Sequence, residues 1–124
     1  MRKEINFDLF QEGETIYFNN FRMRSFEKAI GRSLMPDTFL FVPKLTFDET
    51  IAGLKIGLQH HYPKATDESI CDKLDTYYEK TGEGVQKATD LVSKALIASG
   101  FYGKALDDII NEGKSIEETE IKNE

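Results

Sequence analysis

Apolar and polar positions alternate over the first twenty residues. In EINFDLF, Ile5, Phe7 and Leu9 share one face while Asn6, Asp8 and Phe10 share the other. In TIYFNN, Ile16 and Phe18 lie opposite Tyr17. The short polar segment QEGE separates the two runs, so residues 1–20 are expected to form a β-hairpin. A lone hairpin is marginal in water and must lie against something larger.

The period then changes from two to between three and four. Phe26, Ile30 and Leu34 recur at i, i+4 and i+8 with Ala29 beside them, predicting a helix over 24–35 with Ser25 as its cap. MPDTFLFVPKL, bounded by Pro36 and Pro43, reads as extended chain or an edge strand. Thr46 followed by Glu49 is a capping box, and Phe47, Ile51, Leu54 and Leu58 form one stripe, predicting a helix over 46–61 that Pro63 stops. Gly53 and Gly57 share the flank of that stripe. Each weakens the helix by up to ~1 kcal/mol relative to alanine, which close packing against them would offset.

Thr66 is the expected N-cap of a helix over 66–80, with Asp67 and Glu68 at the positive end of its dipole. Ile70, Leu74, Tyr77 and Tyr78 face inward with Cys71, and Gly82 suits a left-handed C-cap. A fourth helix over 84–99 carries Val85, Ala88, Val92, Ala95, Leu96 and Ser99 on its stripe, widened by Leu91 and closed by Gly100. FYGKALDDIINEG predicts a last short helix using Leu106, Ile109 and Ile110. Residues 111–124 hold five acidic and two basic side chains with only Ile116 and Ile121 apolar, so a mobile acidic tail is expected. The fold class is therefore α+β, mainly α: an N-terminal hairpin followed by about four short helices in one domain over 1–110.

Composition narrows the function. A chain of 124 residues that is 40% hydrophobic can bury a core without metals or disulfides, and its one cysteine forms no internal bridge. That cysteine usage, with neither a signal-peptide pattern nor a long apolar run, implies a cytoplasmic protein with no membrane association. The net charge of −6 resides in residues 45–124, which carry nine Lys/Arg against sixteen Asp/Glu. An acidic surface repels phosphate backbones, so nucleic-acid binding is not expected. The most basic segment, FRMRSFEKAIGR, with Arg22, Arg24, Lys28 and Arg32, reads as a solvated helix face rather than an anion site.

The candidate chemistry is sparse. His60 and His61, the only histidines, are adjacent, whereas a helical zinc pair needs i, i+4 spacing. They read as the last turn of the 46–61 helix, where positive charge meets the carbonyl end. A thiolate pair of Cys71 with either imidazole, or a small metal site built from the three, is the enzyme-class alternative. No nucleophile elbow, phosphate loop or dinucleotide fingerprint is present. The expected chain has no catalytic residues, metal or cofactor.

The order of elements resembles the small tail assembly chaperones of siphophages and prophages of Gram-positive bacteria. The matching features are the helix end AGL…GLQHHYP, the helix AT-x-x-x-I-x-x-x-L, a glycine break and the final ALIASGF, over roughly residues 16–102. The resemblance implies a viral binding protein, not an enzyme, in the cytoplasm of a bacterial host. Its partner would be the long tape measure protein, which it keeps soluble while the tail tube assembles. The tail-tube protein and further copies of the chain are secondary partner candidates. Family members are often also made in a frameshifted longer form, and the acidic tail is where such an extension would branch. The alternative is another small acidic helical phage structural or adaptor protein without catalytic activity. Phe39, Phe41, Phe101 and Tyr102, in or beside loops, are the candidate partner-binding residues; satellite core under the loops is their competing role.

Overall fold

The structure, a computed structural model, describes residues 3–36 and 44–103. Among these residues, a two-stranded hairpin is followed by four helices, an α+β arrangement dominated by helix. The strands are β1 (Ile5–Asn6) and β2 (Thr15–Ile16), and the helices are α1 (Asn20–Ile30), α2 (Phe47–Gly57), α3 (Asp67–Thr81) and α4 (Gln86–Ala98). Helix α2 is central, packing against α1, α3 and α4, while the hairpin leans on α4. Phe39 and Phe41, the segment between the two prolines, the short helix expected after Gly103 and the tail 111–124 lie outside the described residues.

Local signals start and stop three of the helices. Thr46 and Glu49 make the reciprocal capping box, with Glu49 N–H donating to Thr46 Oγ1 at 3.1 Å and Thr46 N–H to Glu49 Oε1 at 2.9 Å. Thr66 and Ser69 do the same for α3, which Gly82 ends at φ 72°. Helix α1 begins earlier than the apolar spacing indicates. Asn19, not Ser25, is its N-cap, accepting from Arg22 N–H at 2.9 Å. It also ends earlier, at left-handed Gly31, so Leu34 completes the apolar stripe from outside the helix. Leu34 is nonetheless fully buried, its N–H on Glu27 Oε2 at 2.8 Å and its carbonyl on the Tyr102 hydroxyl at 2.6 Å.

The hairpin is shorter than the alternation suggests. Only Ile5 pairs with Ile16 and Asn6 with Thr15, and the connecting loop starts at Phe7. Asp8 Oδ1 accepts from Gly13 N–H at 2.8 Å and closes that loop. The chain bends at Leu9, so Phe10 does not take the outer face but meets the Phe7 ring edge-on at 5.1 Å. Two ladder pairs contribute on the order of 1 kcal/mol per hydrogen bond. Phe7, Ile16 and Phe18, all at most 1% exposed, contribute about 1.5–3 kcal/mol each by burial. Packing, not pairing, therefore holds the hairpin.

Gly53 and Gly57 are where that packing occurs. A Cβ on Gly53 would stand 2.7 Å from Val92 Cγ1 of α4 and 3.3 Å from the Phe26 ring of α1. On Gly57 it would stand 2.6 Å from Ile16 Cγ1 and 3.1 Å from the Phe18 ring. The bare flank of α2 thus receives α1, α4 and the hairpin at once. Replacing Gly57 by alanine should lower unfolding free energy by about 1–3 kcal/mol through overpacking. Urea denaturation of Gly57→Ala beside wild type checks this; equal midpoints would show that β2 yields freely.

Candidate functional site

The polar side chains that the sequence singles out converge at the end of α2. That helix stops at Gly57, four residues short of the expected end, so His60 and His61 do not lie on it. The cause is tertiary. The Gly57 carbonyl accepts from Tyr17 N–H at 3.2 Å and from Arg22 Nη1 at 3.2 Å, so it is engaged by the hairpin and α1 rather than by a next helical turn. The chain instead turns over Leu58, whose carbonyl accepts from both His61 and Tyr62 N–H at 2.9 Å.

This turn brings both imidazoles onto one residue of β2. His61 Nε2 accepts from Thr15 N–H at 3.0 Å, and His60 Nε2 lies 3.2 Å from Thr15 Oγ1. Thr15 Oγ1 in turn donates to Glu4 Oε1. Arg22 Nη1 donates to His60 Nδ1 at 3.1 Å. The pattern selects a neutral His60 with its proton on Nε2, and a His61 whose Nε2 carries none. The two ring centres lie 4.2 Å apart with the planes tilted by 43°, and the Tyr17 ring lies 4.7 Å from His60. A helical wheel separates the two histidines; the turn unites them as clasps on the hairpin edge.

Arg22 departs from the solvated face expected of the basic segment. It is only 6% exposed, sits 3.8 Å over the Tyr17 ring and brings positive charge to the carbonyl end of α2. Arg32 is also committed, gripping Glu49 through Nε at 2.6 Å and Nη2 at 2.7 Å and tying the end of α1 to the start of α2. Burial pushes the Glu49 carboxyl up, but Arg32 and the Thr46 cap outweigh it and leave it below its ordinary value. Arg24 and Lys28 remain exposed.

A second buried carboxylate completes the junction. The Tyr62 hydroxyl donates to Glu14 Oε2, and burial, reinforced by that carboxylate, drives the phenol well above its usual range. Glu14 Oε1 is buried without a hydrogen-bond partner among the described residues, an expensive position for a carboxylate oxygen. Cys71 stands apart on α3, half-buried and with no hydrogen bond to either imidazole. Burial first, and then Asp75, Asp67, Asp72 and Asp48, push its thiol up, which disfavours a nucleophilic thiolate. No group of three or more His, Cys, Asp or Glu side chains among the described residues is arranged to hold a metal.

Of the candidate contact residues, Tyr102 lies in the core. It is 5% exposed, and its phenol is pushed up to about 12 by burial and by Glu27. It is therefore not available as a surface aromatic. Phe101 is half-buried edge-on against Tyr102 at 5.1 Å. Large apolar side chains stand exposed elsewhere, at Phe21, Met35 and Phe47. Two shallow depressions, which apolar spacing does not reveal, lie along α3, one beside residues 62–65 and the other beside the hairpin loop. One of about 250 Å³ is lined by Tyr62, Pro63 and Lys64 with Lys73; the other, of about 180 Å³, by Phe10, Tyr77 and Lys80 with Lys73.

No protein-family model, curated protein or solved structure matches this chain. No helix among the described residues is long and apolar enough to cross a membrane.

The surroundings of His60 predict that acid weakens the fold. Burial first, then His61 and Arg22, hold His60 below its ordinary value, against a smaller opposing pull from Glu4. A histidine favoured as neutral in the folded state stabilises fully above its unfolded pKa and loses that contribution as pH falls through the lowered folded value. Thermal unfolding should therefore show a lower midpoint at pH 5 than at pH 7. The difference should shrink in His60→Gln, whose amide cannot be protonated. An unchanged pH difference in that variant would remove His60 from the acid response.

Proposed function

We propose that this chain is a binding protein, acting as a tail assembly chaperone that keeps a phage tape measure protein soluble while the tail tube assembles. The observation that carries the reading is the direction in which its side chains are spent. His60, His61, Arg22, Glu14 and Tyr62 are turned onto one another and onto the hairpin backbone, where they hold the fold. What faces outward is contact surface: exposed Phe21, Met35 and Phe47, and half-buried aromatic rings beside lysines along α3. The resemblance of residues 16–102 to tail assembly chaperones supplies the partner. A tape measure is long, helical and apolar-striped, and such a segment is received by a shallow groove on a helix face. The acidic remainder of the chain keeps such a complex dispersed. The proposed setting is the cytoplasm of the bacterial host, without nucleic acid, metal or cofactor.

Co-expression with a phage tape measure protein encoded in the same genome tests the reading. The tape measure protein should move from the pellet to the soluble fraction by several-fold and co-purify with this chain. A tape measure protein equally soluble alone would overturn it.

A further inference from the structure

We propose that the groove along α3, bordered by the hairpin loop and by residues 62–65, receives an acidic amphipathic helical segment of a partner polypeptide, its apolar side chains on the aromatic floor and its carboxylates on a lysine rail. The charge layout of α3 motivates this. Ser69, Lys73, Thr76 and Lys80 follow at i, i+4, i+7 and i+11, within about 60° on a wheel turning 100° per residue. Glu68, Asp72, Asp75 and Glu79 gather about 100° further round the same helix. The acid and base of α3 are thus sorted onto different sides, and only the basic side borders the groove.

The two depressions form one strip. Lys73 lines both, and the Phe10 and Tyr62 rings that floor them meet edge-on at 6.4 Å. From Ser69 to Lys80 the rail runs about 16 Å, three turns of helix, which fits a partner helix of similar length. Three lysines line the strip and no acidic residue does, on a chain whose net charge is −6. Lys64 and Lys80 make no ion pair among the described residues, and Lys73 Nζ rests 4.2 Å from the centre of the Tyr62 ring. Cations concentrated on the apolar strip of a chain with net negative charge steer carboxylates to that strip and repel a basic partner. The same lysine stems add to the apolar wall.

The proposal rests on the reading above only in taking the partner to be a polypeptide. Its test uses the full chain and two labelled helical peptides of eighteen residues, one with leucine on one face and glutamate on the other, the second with lysine for every glutamate. Fluorescence anisotropy should show the glutamate peptide binding at least tenfold more tightly than its lysine twin, and weakening in high salt. The double substitution Lys73→Glu and Lys80→Glu should lower its affinity at least tenfold, with the circular dichroism spectrum unchanged. Lys73→Gln with Lys80→Gln should give a smaller loss. Lys87→Glu with Lys94→Glu, on exposed positions of α4, should leave binding unchanged.

No binding of the glutamate peptide, equal binding of the twins, or equal loss from the α4 substitutions would overturn the proposal. So would a dimer broken by Lys73→Glu and Lys80→Glu, which would give the groove to a second copy. Tighter peptide binding after Glu117, Glu118 and Glu120 are changed to glutamine would give it to the chain's own C-terminal segment instead. A groove that passes these tests in a chain with no effect on tape measure solubility would separate the two ideas, leaving the groove and removing the chaperone role.

Discussion

The carbonyl end of α2 is the constraint around which the rest is arranged. At Gly57 the helix presents an acceptor with no side chain to shield it, and the chain leaving β2 and α1 both reach it, through Tyr17 N–H and the Arg22 guanidinium. A buried carbonyl must find a donor, and the negative end of a helix favours a cation. The two requirements are met by one arginine, itself covered by Tyr17 and His60. Because that acceptor is occupied, the chain turns at Leu58, and the turn delivers the histidines to Thr15. Helix length, hairpin position and imidazole geometry are thus one event.

The hairpin illustrates how small proteins secure a marginal element. Two residue pairs in all cannot hold it, so its buried side chains are set against the glycine flank of α2 and its edge is clasped by side chains from elsewhere. The clasp uses polar groups out of the water, which costs free energy unless each is bonded. Nearly all are. Glu14 Oε1 is the exception among the described residues, and it sits where Tyr62 already commits the other carboxylate oxygen. The arrangement converts residues that look chemical in sequence into fastening.

The acidic residues of α3 are turned away from the hairpin and its lysines toward it. Sorting of this kind on one helix is not required for stability, since exposed charges contribute little whichever side they occupy. It does set the sign of the charge that borders the groove.

Features governed by near neighbours were legible in the chain. Thr46 with Glu49, Thr66 and Gly82 act within one turn of themselves, so residue type and spacing were enough to place them. The apolar stripes of α3 and α4 followed from period alone, as did Ile51, Leu54 and Leu58 of the α2 stripe, whereas Phe47, expected on that stripe, stands exposed at the first turn; the paired glycines marked a close approach without saying what approached. Other features were set by contacts between residues far apart in sequence. Asn19 outcompeted Ser25 because the hairpin exit holds it extended at the right place. Helix α2 ended at Gly57 rather than near Pro63 because Tyr17 and Arg22 took its carbonyl, and no window around residue 57 contains either. Of its two expected roles Tyr102 takes core rather than contact surface, because Leu34, 68 residues away, offers its hydroxyl an acceptor. Local bonding rules therefore determined which elements exist, while buried long-range donors and acceptors decided where they end and which side chains meet.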